Sequence, residues 1–373
     1  MRKKIACVLI SLLLLFPSSV FAASDRINVK KLTFDKVEQY INTYNTQIYS
    51  NNKAVADIKV PTDSDRAELQ KTIDDIDAQI QYYDGEIAKL DRDNPFEKPV
   101  IDIYEFLKGL SIMNKESLKK QLQSFDENRN KALEAQTQAI MQVEAGNKQI
   151  IWGAEQIFIA YNSLNHQIKQ QNNQLNLLYK QLDIMKLQKK LGMITGQTIK
   201  NVEISAKELD LAIKAMKDQQ KFMKEQLNVM LNQNHDIDLE IGATPDPDLD
   251  LINAMNLEED YKKAVALSFD VRAKSDSYER EAEKRKFKLA FKESFENVAD
   301  KLDSLELEKL KLENQKSLYD QAALKHKLGM ISKVAFEEQR IAYENQRFKA
   351  QAAEDELFKA YRQYEWMKKG LSL

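Results

Sequence analysis

The sequence predicts an all-α protein made of two tandem repeats of very long antiparallel helices paired as coiled-coil hairpins. Three observations predict it. Nine glycines and six prolines in 373 residues allow few turns, and 31% charged side chains supply the broad solvated faces of long helices. Apolar residues recur at alternating spacings of four and three, the heptad signature of a narrow packing seam. Finally, Lys190-Leu191-Gly192-Met193-Ile194 returns 137 positions later as Lys327-Leu328-Gly329-Met330-Ile331, anchoring a match of 144–233 with 281–370.

The chain opens with Arg2, Lys3 and Lys4, an apolar stretch from Ile5 to Phe16, and Val20-Phe21-Ala22, which read as a secretory signal peptide over 1–22. That stretch is shorter than the roughly 20 apolar residues a membrane-crossing helix needs, and no later segment is apolar enough to serve. The single cysteine, Cys7, falls inside the signal, so neither a disulfide framework nor a lipid anchor is expected. Cleavage removes three basic residues and leaves 53 basic against 58 acidic, and nothing in that balance suggests a nucleic-acid surface, which needs clustered positive charge.

The first repeat, 23–241, begins at Leu32-Thr33-Phe34-Asp35 and carries an insertion near 56–114 that the second lacks. Within the insertion Asp63 to Asp91 is helix-like, and Pro99-Val100-Ile101-Asp102-Ile103-Tyr104 reads as a short strand. A helical run from about Lys115 to Leu191 follows, with Ile157, Tyr161, Leu164, Ile168, Leu175, Leu178, Leu182 and Met185 on its seam, Gln171 at the skipped step, and Gly146 and Gly153 as possible kinks. Its partner carries Leu209, Ile213, Met216, Met223, Leu227 and Met230, with Gln220 at the skipped step. A linker, 242–255, leads to the second repeat, 256–373. That repeat opens at Asn256-Leu257-Glu258-Glu259, and a run to about Leu328 bears Phe291, Phe295, Val298, Leu302 and Leu305.

The repeated phrase encodes a helix reversal. Gly192 and Gly329 suit left-handed C-caps, with Met193 packing back on Leu187 and Met330 on Leu324. Thr195 and Ser332 suit the N-cap of the next helix, and Ile194 with Ile199, like Ile331 with Phe336, suit a hydrophobic staple. Cap chemistry alone is equally consistent with plain hairpin turns. A docking role is suggested by the methionine each copy places at the far end of a long hairpin.

Other chemistry is sparse. His166, His235 and His326 lack ligand spacing, and His166 and His326 read as solvated helix positions. Asp236 to Glu240 and Asp246 to Asp250 lack calcium-loop spacing and read as a solvated linker. Ser163 beside His166 lacks an orienting acid. Trp152 and Trp366 read as packed seam or end residues, and Gln167 to Asn176 as a polar face lining a channel or meeting solvent. No catalysis, cofactor or metal is expected, and nothing in the chain matches a nucleotide-binding motif.

Two tandem halves, each a long helix reaching a Lys-Leu-Gly-Met-Ile-Thr/Ser turn and returning as another, resemble the TolC family of outer-membrane efflux ducts. Ser268-Phe269-Asp270-Val271-Arg272-Ala273 is also in that family's style. The resemblance implies a homotrimer whose hairpins form a tapering tube. It makes Gly192, Met193, Ile194, Thr195, Gly329, Met330, Ile331 and Ser332 the docking tips for a periplasmic adaptor or an inner-membrane pump. The charged stretch between Ala273 and Phe291 replaces the second pair of barrel strands, so a TolC-like helical body with little or no β-barrel is expected. The resemblance therefore implies an exported efflux or secretion component of the cell envelope, periplasmic or outer-membrane associated, acting as a passive conduit or docking element. The alternative is a structural coiled-coil envelope protein without transport; a single-hairpin adaptor fits less well.

Overall fold

A computed structural model describes residues 28–373, so the expected signal over 1–22, with Cys7, lies outside the described residues. In chain order the elements are β1 (Lys31–Leu32), α1 (Phe34–Tyr44), α2 (Thr46–Ala56), α3 (Asp63–Ile87), α4 (Lys98–Lys190), α5 (Gly196–Met230), β2 (Glu240–Ile241), α6 (Leu249–Asn253), α7 (Leu257–Leu267), α8 (Phe269–Arg272), α9 (Ser277–Lys327) and α10 (Lys333–Lys368). The two strands pair in parallel, Lys31 opposite Glu240 and Leu32 opposite Ile241. They are the only strands among the described residues, and each has two residues against the 9–11 of a barrel strand. No described helix is long and apolar enough to cross a membrane.

Two expected elements are corrected. Pro99–Tyr104 is not a strand but the opening of α4, a helix of 93 residues and about 140 Å that passes Gly146 and Gly153 without a break. Proline is tolerated there because the first turn leaves its N–H groups unpaired anyway. The run expected from Leu257 to Leu328 is interrupted at Ser268 and again at 273–276, where Ser268 and Asp276 turn their side-chain oxygens onto Val271 N–H and Glu279 N–H and start new helices.

Helices α4 and α5 pair as one hairpin and α9 and α10 as another, while α3 lies against the first half of α4 as a third. The opening helices repeat too. Asn45 ends α1 and caps α2, and Ser268 ends α7 and caps α8, an offset of 223. Each junction grips the end of its own hairpin, Asn45 Nδ2 donating to Met230 O at 2.9 Å and Phe269 N–H donating to Gly370 O at 3.1 Å. Since the hairpins repeat at 137, the first half holds 86 more residues between these landmarks, occupied by α3 and the first part of α4.

Two cores hold the shaft near these junctions. Val37, Ile41, Phe158, Leu227 and Leu231 form one, and Phe287, Phe291, Val298, Leu305 and Leu357 the other. Helix α10 belongs to both, because Trp366 is buried in the first and Tyr364 in the second. The skipped seam position at Gln220 reaches across to the Tyr161 carbonyl at 3.5 Å. Trp152 packs against the first core, as expected of a seam residue.

A polar seam binds α4 to α10. Glu155 meets Arg362, His166 meets Asp355, Asn173 Nδ2 donates to Glu344 at 3.2 Å, and Lys180 contacts Glu337 at 2.8 Å. The hydrogen bonds from Lys180 and Arg340 hold the Glu337 carboxyl down at about 2. Asn173 thus faces α10 rather than open solvent, and His166 is packed between the helices rather than solvated.

Burial pushes the Asp355 carboxyl up to about 7 and depresses His166, so both favour their neutral forms at their 3.4 Å approach. A raised carboxyl favours folding while protonated, and that advantage is lost as pH climbs from about 4 through about 7. Asp355→Asn is therefore expected to raise stability at pH 8 by about 1–2 kcal/mol and to flatten the slope between pH 4 and 7. Urea melts at several pH values measure this.

Candidate functional site

The α4–α10 contacts run antiparallel, so the α4–α5 and α9–α10 turns lie at the same end of the molecule. Each turn is built by the same bonds. At the first, Gly192 takes φ +73°, its N–H donates to Lys189 O, and Met193 N–H donates to Gln188 O, both at 2.9 Å. At the second, Gly329 takes φ +71°, its N–H donates to His326 O at 2.9 Å, and Met330 N–H donates to Lys325 O at 2.8 Å. These are paired Schellman closures, and glycine is favoured because a Cβ disfavours the left-handed region.

The next helix starts as the residues dictate. Thr195 Oγ1 accepts from Thr198 N–H at 3.4 Å, and Ser332 Oγ accepts from Ala335 N–H at 3.2 Å. Ile194 packs with buried Ile199 in an aliphatic seam that continues through Leu182, Ala206 and Ile213. In the second hairpin the seam is aromatic: Phe336 stacks on His326 with centroids 5.0 Å apart and on Tyr319 at 5.8 Å. His326 is thus packed rather than solvated.

The methionines stand in solvent, Met193 and Met330 each 68% exposed. Their expected packing onto Leu187 and Leu324 leaves those leucines 60% and 58% exposed. Leu191 and Leu328, at 67% and 64%, complete each group. Every tip thus presents two leucines and a methionine, collared by Lys189 and Lys190 or by Lys325 and Lys327. Sequence reasoning singled out the methionine and missed Leu191 and Leu328, which carry the same signal by standing next to the repeated glycine. Such a surface, apolar with a basic rim, suits a partner that is apolar and acidic. No metal-holding group of His, Cys, Asp or Glu occurs among the described residues.

No protein-family model matches the chain, and no curated protein matches it in sequence. Among solved structures it is similar to outer membrane channels, in the course of its long helices. The outer membrane protein VceC of Vibrio cholerae is 11% identical with a TM-score of 0.42, over 65% of this chain and 75% of that one. The transmembrane channel protein CusC is 11% identical with a TM-score of 0.43, over 90% and 96%. The Campylobacter jejuni outer membrane channel CmeC is 10% identical with a TM-score of 0.37, over 96% and 98%.

Proposed function

We propose that this protein is an exported, TolC-like component of an efflux or secretion system, assembled as a homotrimer in the cell envelope. It acts as a passive helical conduit or docking element without catalysis. The observation that carries the reading is the pair of identical turns at one end of the molecule, each holding an exposed methionine beside two exposed leucines. A hairpin seam needs the glycine, the hydroxyl and the staple; it does not need three apolar side chains in water. In this reading Gly192, Met193, Ile194, Thr195 and Gly329, Met330, Ile331, Ser332 seat a periplasmic adaptor or inner-membrane pump, the glycines and hydroxyls shaping the turn and the methionines making contact. Tandem repeats 23–241 and 256–373 each supply one tip, joined by the linker 242–255.

Met193→Glu combined with Met330→Glu tests the docking. The turns have no packing to lose there, so helicity by circular dichroism is expected to stay at the wild-type level. Co-purification of the adaptor or pump is expected to fall at least tenfold, since each charge opposes desolvation of an apolar contact. Unchanged binding would leave the tips as turns only. Mass measurement of the wild-type protein tests the assembly, and a monomer would sink the conduit.

A further inference from the structure

The third hairpin, at the far end of α4, carries a feature that docking at the tips leaves unexplained. Phe96 is 89% exposed, Ile103 59%, Phe106 66% and Met113 72%, with Val100 and Leu110 beside them at 41% and 45%. Phe96 stands in the turn just before α4, and at 100° per residue the five on the helix form one stripe about 20 Å long. The fifteen charged residues of α4 between Lys98 and Lys148 all fall within an arc of about 200°, leaving about 160° free of charge along more than 50 residues. Helix α3 covers one border of the charged arc through Lys108–Asp84, Lys115–Asp77, Arg66–Asp126 and Arg129–Asp63. Among the described residues, Ile103, Phe106 and Met113 stay exposed along the apolar part of the uncharged arc.

We infer that this stripe is the contact between copies of the chain, the first half of α4 from each copy packing face to face about the symmetry axis. Val100, Ile103, half-buried Leu107 and Leu110 keep the a/d spacing of a helix that meets another helix, and Phe106 and Met113 flank that seam. The six side chains expose on the order of 600 Å² per copy, approaching the ~800 Å² per partner of a stable interface. A lipid surface fits poorly, because residues 63–114 hold 13 acidic against 6 basic side chains and would be repelled by anionic headgroups. Rotation about an axis places every stripe inward and every charged arc outward in water.

This inference rests on the homo-oligomer proposed above, and two variants of the full chain separate them. In a Cys7→Ser background, Ile103→Cys is expected to form an intermolecular disulfide on mild oxidation. Ile103→Glu with Phe106→Glu, at exposed positions that leave the fold intact by circular dichroism, is expected to raise the concentration at which the assembly dissociates at least tenfold. A wild-type trimer that neither cross-links nor weakens would overturn the inference and leave the conduit standing. A wild-type dimer that cross-links through Ile103→Cys would keep the stripe and remove the trimeric duct. A wild-type monomer without cross-linking would remove both.

Discussion

Gly370→Ala is expected to destabilise the protein by about 3–4 kcal/mol, whereas the same change at Gly192 or Gly329 costs about 1 kcal/mol. All three glycines sit in the left-handed region, at φ +88°, +73° and +71°, so the local backbone strain of adding a side chain is nearly equal. They differ in what the new methyl group meets. At the two tips nothing lies within 4 Å; at Gly370 the Cβ would fall 2.2 Å from the Leu267 carbonyl oxygen and 2.5 Å from its carbon. Those atoms are backbone and cannot swing aside.

The end of α10 would have to retreat from the α7–α8 junction, lengthening the Phe269 N–H to Gly370 O bond and lifting Leu371, 1% exposed, out of the first core. Thermal or urea melts of the three variants measure the difference. Equal losses at all three positions would show that the α10–α7 contact is looser than the geometry requires.

The regular parts of this fold were legible because they repeat a physical rule many times. The seam from Ile157 to Met185 states the helical period at every step but Gln171, and Gly192 with Thr195 states a turn in two residue types. Other features were hidden because one residue decides each of them. Pro99–Tyr104 gathers the β-branched Val100, Ile101 and Ile103, which suit a strand, yet Pro99 sits in the first turn of α4 and the segment is helical. The breaks at Ser268 and 273–276 carry no glycine or proline; they are made by side-chain oxygens that cap equally well as they solvate.

The candidate site was legible in part. The repeated phrase located the tips, but exposure of Leu187, Leu191, Leu324 and Leu328 depends on how far each turn projects beyond its neighbours, a property of the assembled hairpins. The stripe on α4 was obscured for the same reason, since an apolar helical face ordinarily signals a neighbour within the chain.

Glu155→Ala is expected to cost about 3–5 kcal/mol, as much as truncating a large core side chain. In the sequence Glu155 is one glutamate among many on a charged helix. In the structure it is 1% exposed and accepts three hydrogen bonds, from Arg362 Nη2 at 2.6 Å, Arg362 Nε at 3.2 Å and Trp366 Nε1 at 2.8 Å. Removing the carboxylate leaves a guanidinium and an indole N–H without their acceptor beside the rings of Phe34 and Trp366.

Because Glu155 stands on α4 and its donors on α10, the loss falls on the joint between the two halves, and the hairpins themselves keep their seams. Glu155→Ala should therefore lower the melting temperature while far-UV helicity at 20 °C stays close to wild type. Adding Arg362→Met should recover part of the loss, since the stranded charge is then gone and the methionine can pack on Phe34. A double variant no more stable than Glu155→Ala would show that the cost lies in the Trp366 hydrogen bond and the space left behind, with the ion pair contributing little.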